Sequence, residues 1–130
     1  MQMALRRLQP RFQNCILSAA SYWDLAAGEL AALAEGPRKN MGHACEFETS
    51  MVMALRPELV RKEKIADDPP ANDPALRGLF LADDMKQRTH HGAVGYPEQA
   101  SAEKGQRFLK AAIERTVEVV SRLLERSLPA

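Results

Sequence analysis

One short apolar run constrains this chain more than any other feature. Residues 13–20 (Gln-Asn-Cys-Ile-Leu-Ser-Ala-Ala) are apolar at their centre and polar at their flank. That pattern suits a strand buried on both faces of a parallel sheet. Such a strand leaves N–H and C=O groups open along both edges, and buried backbone groups need partners. The remaining sequence barely offers them, since Leu79-Phe80-Leu81 makes at most a short strand or a turn. The stretch from Cys15 to Ala19 therefore calls for strands from another chain, or it belongs to a poorly covered half-domain.

The rest of the chain reads as helices and loops. Residues 1–8 carry Met1, Leu5 and Leu8 at helical spacing and end near Pro10, like the tail of a helix. Ser21-Tyr22-Trp23-Asp24 follows the candidate strand at its carboxyl end, where open α/β sheets place their ligands. Trp23, the only tryptophan, either packs in the core or lines a pocket. Residues 25–34, rich in alanine and leucine, predict a helix that stops at Gly36-Pro37. Residues 51–56 continue a helix that Pro57 should end or redirect. Residues 61–74, with Pro69, Pro70 and Pro74, read as a surface excursion whose charges form a solvated face. Residues 86–96 include Thr89-His90-His91-Gly92 and Gly95, which mark a loop. Adjacent histidines in extended chain point to opposite sides, so they suit a paired metal site poorly, although one could face a pocket. The clearest helix spans residues 101–127, with Phe108, Leu109, Ala112, Ile113, Val117, Val120 and Leu124 along one face. Its apolar stripe is expected to pack on a sheet.

Composition excludes several classes. The 130 residues make one domain, which could bury about two-thirds of its unfolded surface. Eighteen basic residues nearly balance 17 acidic ones, for a net charge of +1, which argues against a nucleic-acid binder. One tryptophan, two tyrosines and four phenylalanines leave little for base stacking. No apolar run approaches the roughly 20 residues needed to cross a bilayer. Arg6, Arg7, Pro10 and Arg11 near the N-terminus are followed by no apolar signal core. Cys15 and Cys45 stand alone, without a metal or disulfide framework, and fit a reducing cytoplasm.

Chemistry concentrates in residues 43–50, His-Ala-Cys-Glu-Phe-Glu-Thr-Ser, directly before the apolar run of residues 51–55. Glu48 falls at or near the start of a helix, where the dipole and free N–H groups favour an ionised carboxylate. A fixed carboxylate is what a metal ion or a cationic transition state requires. The simpler alternative is that Thr49 or Ser50 caps the helix and the glutamates occupy its first turn. His43 belongs to no H-E-x-x-H pair, and there is no glycine-rich phosphate loop and no G-x-S-x-G elbow. Cys45 beside His43 suggests a thiol nucleophile only weakly, because residues two apart do not reliably face each other.

Residues 43–50, followed by Met53-Ala54-Leu55-Arg56-Pro57-Glu58-Leu59-Val60, resemble the signature of the creatininase (creatinine amidohydrolase) family, in which His-Ala-Gly-Glu-x-Glu-Thr-Ser is common. Ser21 to Asp24, Gly92-Ala93-Val94-Gly95-Tyr96-Pro97 and Ala100-Ser101-Ala102-Glu103-Lys104-Gly105 extend the resemblance in the family's order. It runs from about Leu5 to the final helix and covers the back half of the family's pattern. The resemblance implies an α/β protein, part of a three-layer α/β/α fold with a parallel sheet, whose front half is missing here. That front half would carry a Glu-x-His pair, a bridging Asp and a Gly-His-Gly-Gly-Asn-like segment, none of which this sequence contains.

The family hydrolyses cyclic amides, formamides and related C–N bonds with a two-metal centre, usually zinc or manganese. The resemblance implies that His43 is a catalytic proton donor and acceptor, and that Glu48 is a carboxylate of the metal centre. Glu46 is a second metal candidate, and Trp23 and Asp24 lie near the substrate. Cys45 replaces the usual glycine and should perturb the turn before the helix. Lys39 and Asn40 stand where members acting on creatinine carry a tryptophan and an aspartate, so creatinine itself is not the expected substrate. The expectation is a metal-dependent amidohydrolase of small amides, truncated or split and inactive alone. It would form a homo-oligomer or associate with the missing N-terminal half. The alternative is a non-catalytic subunit that docks on a full-length relative through an open sheet edge.

Overall fold

The structure, a computed structural model, describes residues 2–69, 74–76 and 78–126. Six α-helices occur among them: α1 (Gln2–Leu8), α2 (Tyr22–Leu25), α3 (Ala27–Leu33), α4 (Glu46–Leu55), α5 (Met85–Arg88) and α6 (Ala102–Leu124). Single 3-10 turns fill much of the connecting chain, including Pro57–Leu59, Lys62–Lys64 and Pro97–Gln99.

The packing of α4 on α6 sets the architecture. A Cβ at Gly105 would collide with the carbonyl of Ser50, so glycine lets the two backbones touch. Ser101 fixes the crossing from the other side: its Oγ accepts from Lys104 N at 3.2 Å, and its N–H donates to Ser50 Oγ at 3.1 Å. One residue thus caps α6 and ties that cap to α4. Beside this contact the Phe47 and Phe108 rings lie 5.0 Å apart and tilted by 45°. They centre a core that includes Ala26, Leu30, Ala34, Cys45, Met51 and Ala112. Each buried phenylalanine contributes about 1.5–3 kcal/mol.

Helix boundaries follow local chemistry. Cys45 is extended (φ −88°, ψ −170°) as the residue before α4, and Arg56 leaves the helical region (φ −147°, ψ 64°) because Pro57 follows. The predicted helix of residues 25–34 is two helices broken at Ala26 (φ −101°, ψ 22°), and the first begins earlier, at Tyr22. Within the predicted loop of residues 86–96, α5 forms because Asp84 and Gln87 make a reciprocal capping box. Residues 61–69 run over the surface as expected, except that Asp68 is buried. The expected excursion also included residues 70–73, which lie outside the described residues, as does Ser127 at the end of the expected final helix.

Three expectations need correction. The run of residues 13–20, read as a doubly buried strand, pairs with no other strand and is largely exposed. The side-chain amide of Gln9 stands in for a neighbouring strand, donating to Cys15 O at 2.7 Å and accepting from Leu17 N at 2.9 Å. Of the strand or turn expected at residues 79–81, a turn leads in, with Leu79 N donating to Leu76 O at 3.0 Å, and Phe80 is 88% exposed. Among the described residues β pairing is limited to two isolated antiparallel bridges, His43 with Val94 and Asp68 with Gly95. The parallel sheet expected for this fold class thus has no strand, and hence no open edge, among the described residues. Finally, α6 does not lie on a sheet. Phe108 and Ala112 pack on α4, while Ile113, Val117, Val120 and Leu124 remain exposed. No helix among the described residues is long and apolar enough to cross a membrane.

Candidate active site

The two β bridges hold the site together. Val94 exchanges both backbone hydrogen bonds with His43 (2.7 and 3.3 Å), and Gly95 exchanges both with Asp68 (2.9 and 3.0 Å). Residues 43, 94–95 and 68 therefore lie side by side, and the His43 backbone is locked while its side chain stays exposed. Asp68 is buried and its Oδ2 accepts from the N–H groups of His91, at 2.8 Å, and of His90. These hydrogen bonds, led by that of His91, hold its carboxyl below the ordinary range despite the opposing effect of burial. The two histidines are thus anchored by backbone groups, and their rings lie 6.5 Å apart and tilted by 59°.

Between His43 and α4 the chain reverses at Ala44, a non-glycine residue with φ +46°. Such a conformation costs a residue with a Cβ about 1–2 kcal/mol. The strain expected at Cys45 therefore sits one residue earlier. Ala44 is held by both ends of the next turn: its N–H donates to Glu48 Oε2 at 2.6 Å, and its carbonyl accepts from Thr49 Oγ1 at 3.1 Å. Neither Thr49 nor Ser50 caps α4, whose N-cap position, Cys45, has no side-chain cap; Glu48 reaches back past it to Ala44. Its Oε1 has no hydrogen bond among the described residues. Cys45 is enclosed: Gly42 N donates to its Sγ at 3.3 Å, and a Cβ at Gly95 would come within 2.9 Å of its own Cβ. A buried sulfur held in this way is not presented as a nucleophile.

His43, Glu48 and Thr49 share one cleft of about 440 Å³, with Val52, Arg61, Lys64 and His91 among its other walls. Glu46 faces the opposite way, as residues two apart on a helix must. It is 3% exposed, and both of its oxygens are committed. Oε1 accepts from Glu35 N (2.9 Å) and Lys104 Nζ (3.0 Å), and Oε2 accepts from Gly36 N (2.9 Å). Burial pushes this carboxyl up, but the bonds from Glu35 N, Lys104 and Gly36 N outweigh it and leave it below the ordinary range. Burial likewise pulls Lys104 down, and its bonds to Glu46 and Glu35 raise it overall. Glu46 is in this structure the anion of a buried ion pair that joins α4, α6 and the residue 35–36 turn, with no oxygen free for a metal.

Trp23 and Asp24 line a different, smaller cleft of about 160 Å³, with Lys39, Asn40, Met41 and Phe47. The residue before them, Tyr22, turns instead toward Glu48 and shares a third groove with it. Burial, then the negative charge of Glu48, raise the Tyr22 hydroxyl above its ordinary range. Successive helical residues diverge in this way by about 100°, so Tyr22 and Trp23 face different grooves, neither of them the His43 cleft.

The chain's donors fall short of a complete metal centre. Among the described residues no three His, Cys, Asp or Glu side chains are grouped closely enough to hold an ion. Glu48 and His43 alone are fewer than the three protein ligands of even an open catalytic zinc site. Sequence reasoning missed Lys104, Asp68, Arg61 and Lys64. Lys104 had a signal: it lies four and eight residues before Phe108 and Ala112, on the apolar face, where a cation needs a buried anion.

The creatinine amidohydrolase family model (Creatininase) matches residues 1–120. A creatinine amidohydrolase of Pseudomonas putida is 28% identical over 123 residues, which are 91% of this chain and 46% of that protein. The crystal structure of a Bacteroides fragilis protein assigned to the creatinine amidohydrolases superposes with a TM-score of 0.81 at 23% identity, covering 99% of this chain and 51% of that one. A manganese creatininase structure gives a TM-score of 0.70 at 28% identity, covering 93% and 48%. Other creatininase structures among the matches are of a Zn-Zn type or are complexed with creatine. The chain spans about half the length of the relatives it matches.

Proposed function

Since this chain belongs to the creatininase family, we propose that it supplies the proton-transfer wall of an amidohydrolase site completed by a second polypeptide segment. The observation that carries this is the shared cleft: His43 and Glu48, the two signature positions, face the same space from a rigid turn. Zinc and manganese in the related structures support a divalent metal for the complete site. The donor set of this chain does not by itself fit such a centre, so the chemistry assigned here is that of its own side chains. Glu48, with one oxygen uncommitted, is its candidate ligand. The parallel sheet of a three-layer α/β/α fold would likewise arise only with that second segment, with residues 13–20 as one of its strands.

In this scheme water adds to the carbonyl carbon of a small amide. His43 takes up the proton the water gives up and passes it to the nitrogen that leaves as the C–N bond breaks, yielding a carboxylic acid and an amine. Its locked backbone fixes where the imidazole starts, and the hydrogen bond from Ala44 N–H holds the Glu48 carboxylate in position beside it. Trp23 and Asp24 would contact substrate only from the neighbouring cleft. The test is His43→Ala in the complemented protein, with hydrolysis and melting temperature measured on one preparation. Loss of a general acid–base group typically costs ~10²–10⁴-fold in rate with folding unchanged. Hydrolysis per folded molecule that survives the substitution would reject the assignment.

A second reading, a non-catalytic subunit docked on a full-length relative, is favoured by the groove of about 500 Å³ between α4 and α6, lined by Met51, Leu55, Ile113 and Val117. Docking that persists in His43→Ala without any hydrolysis in the wild-type complex would select it.

A further inference from the structure

The His43 cleft is richer in positive charge than its signature residues explain. Together with His91, Arg61 and Lys64 form part of its wall. Both belong to the short stretch around the 3-10 turn Lys62–Lys64. Their backbones are tied, since Lys64 N donates to Arg61 O at 2.9 Å and Ile65 N to Lys62 O at 3.2 Å. Their side chains have no ion pair or hydrogen bond among the described residues. Arg56, Lys104, Arg107, Lys110 and Arg115 are each paired with a glutamate. Arg6, Lys62 and Lys86 also have no ion pair among the described residues, so what sets Arg61 and Lys64 apart is the cleft they share. Two unpaired cations thus share a cleft with one carboxylate, Glu48, which already accepts the Ala44 N–H. Apolar Val52, Val60, Ile65 and Pro97 form other parts of the wall, while Arg61 and Lys64 are exposed, so their attraction to an anion is partly screened.

We propose that this cleft binds a small amide that also carries an anionic group, a carboxylate or a phosphate, with Arg61 and Lys64 holding the anion. Arginine suits either oxyanion through its planar fork, and lysine adds a point charge. The amide part of the ligand rests on the amidohydrolase reading; the anion part does not, because it is read by binding without turnover.

The experiment titrates the full 130-residue chain at low salt with three probes: succinamate, inorganic phosphate and the neutral propionamide. Calorimetry and the histidine ring resonances report binding. Succinamate is expected to bind about tenfold more tightly than propionamide, the sum of two partly screened charge contacts, and the preference should weaken as salt is raised. Arg61→Gln with Lys64→Gln should erase the preference while propionamide affinity and the melting temperature stay unchanged, and Lys64→Arg should keep it. Phosphate binding as tightly as succinamate supports a phosphate-bearing ligand; succinamate alone supports a carboxylate. Equal affinity for succinamate and propionamide, or a preference that survives the double substitution, overturns the proposal. Anion binding without hydrolysis in the complemented protein would instead remove the amidohydrolase reading and leave this site standing.

Discussion

Replacing Lys104 by methionine tests the buried ion pair most directly. The Glu46 carboxylate is 3% exposed and the Lys104 side chain 6%, so the substitution strands a charge away from water. Breaking a buried pair from one side costs about 3–5 kcal/mol. The lower end applies here, because Glu46 keeps its bonds from Glu35 N and Gly36 N. A loss of about 3 kcal/mol in a domain of this size lowers the melting temperature by roughly 10 °C. The assay is thermal unfolding followed by helical circular dichroism near neutral pH, on Lys104→Met, Glu46→Gln and the double variant. The double variant should be no less stable than Lys104→Met, since it leaves no uncompensated charge. A melting point within 2–3 °C of wild type for Lys104→Met, less than about 1 kcal/mol, would refute the reasoning. So would a double variant whose loss equals the sum of the single ones.

Other consequences are as open to measurement. Gly105→Ala should destabilise by about 1–3 kcal/mol, although alanine favours helix, because its Cβ meets the Ser50 carbonyl; a more stable variant would disprove the close contact. The carboxyls of Glu46 and Asp68 lie below their ordinary range, so their stabilisation is present above ~pH 4 and is lost as pH falls through their folded values. Lys104 lies above its range, so its contribution is present below ~pH 10.4 and is lost as pH rises beyond its folded value. An acid limb in an unfolding-versus-pH curve that Glu46→Gln leaves unchanged would contradict this. Ile113, Val117 and Leu124 are 59%, 59% and 81% exposed, and the wild type should self-associate in light scattering. Val117→Lys with Leu124→Lys should abolish the association; a monodisperse monomeric wild type would count against it.

The helices were legible because their signals are local. Pro57 ends α4 through the conformation it imposes on Arg56, and the spacing of Phe108 and Ala112 gives α6 its buried face. His43 and Glu48 stood together in the sequence only through the family resemblance, and one turn of chain brings them to the same cleft. Glu46 was not legible: a metal-ligand role and a buried ion pair look alike until Lys104, 58 positions on, is seen beside it. Asp68 lay in a stretch whose proline and charge content described its neighbours correctly, and only the bridge to Gly95 explains its burial. The strand expected at residues 13–20 is unpaired among the described residues for a complementary reason. Apolar composition states a demand for partners, and the Gln9 amide meets only two groups of it.

The Ser50–Gly105 contact also behaves as a pivot. It lies near one end of α6, whose 23 residues make a rod ~34 Å long at 1.5 Å per residue. Leu124 sits roughly 28 Å from that fulcrum on the same rise. A rotation of about 5° at the contact would sweep Leu124 through roughly 2.5 Å on that lever arm, more than half the diameter of a methyl group. The place where two backbones touch is therefore where the aim of the distant apolar tip is set, and a change of one atom there is magnified along the whole rod.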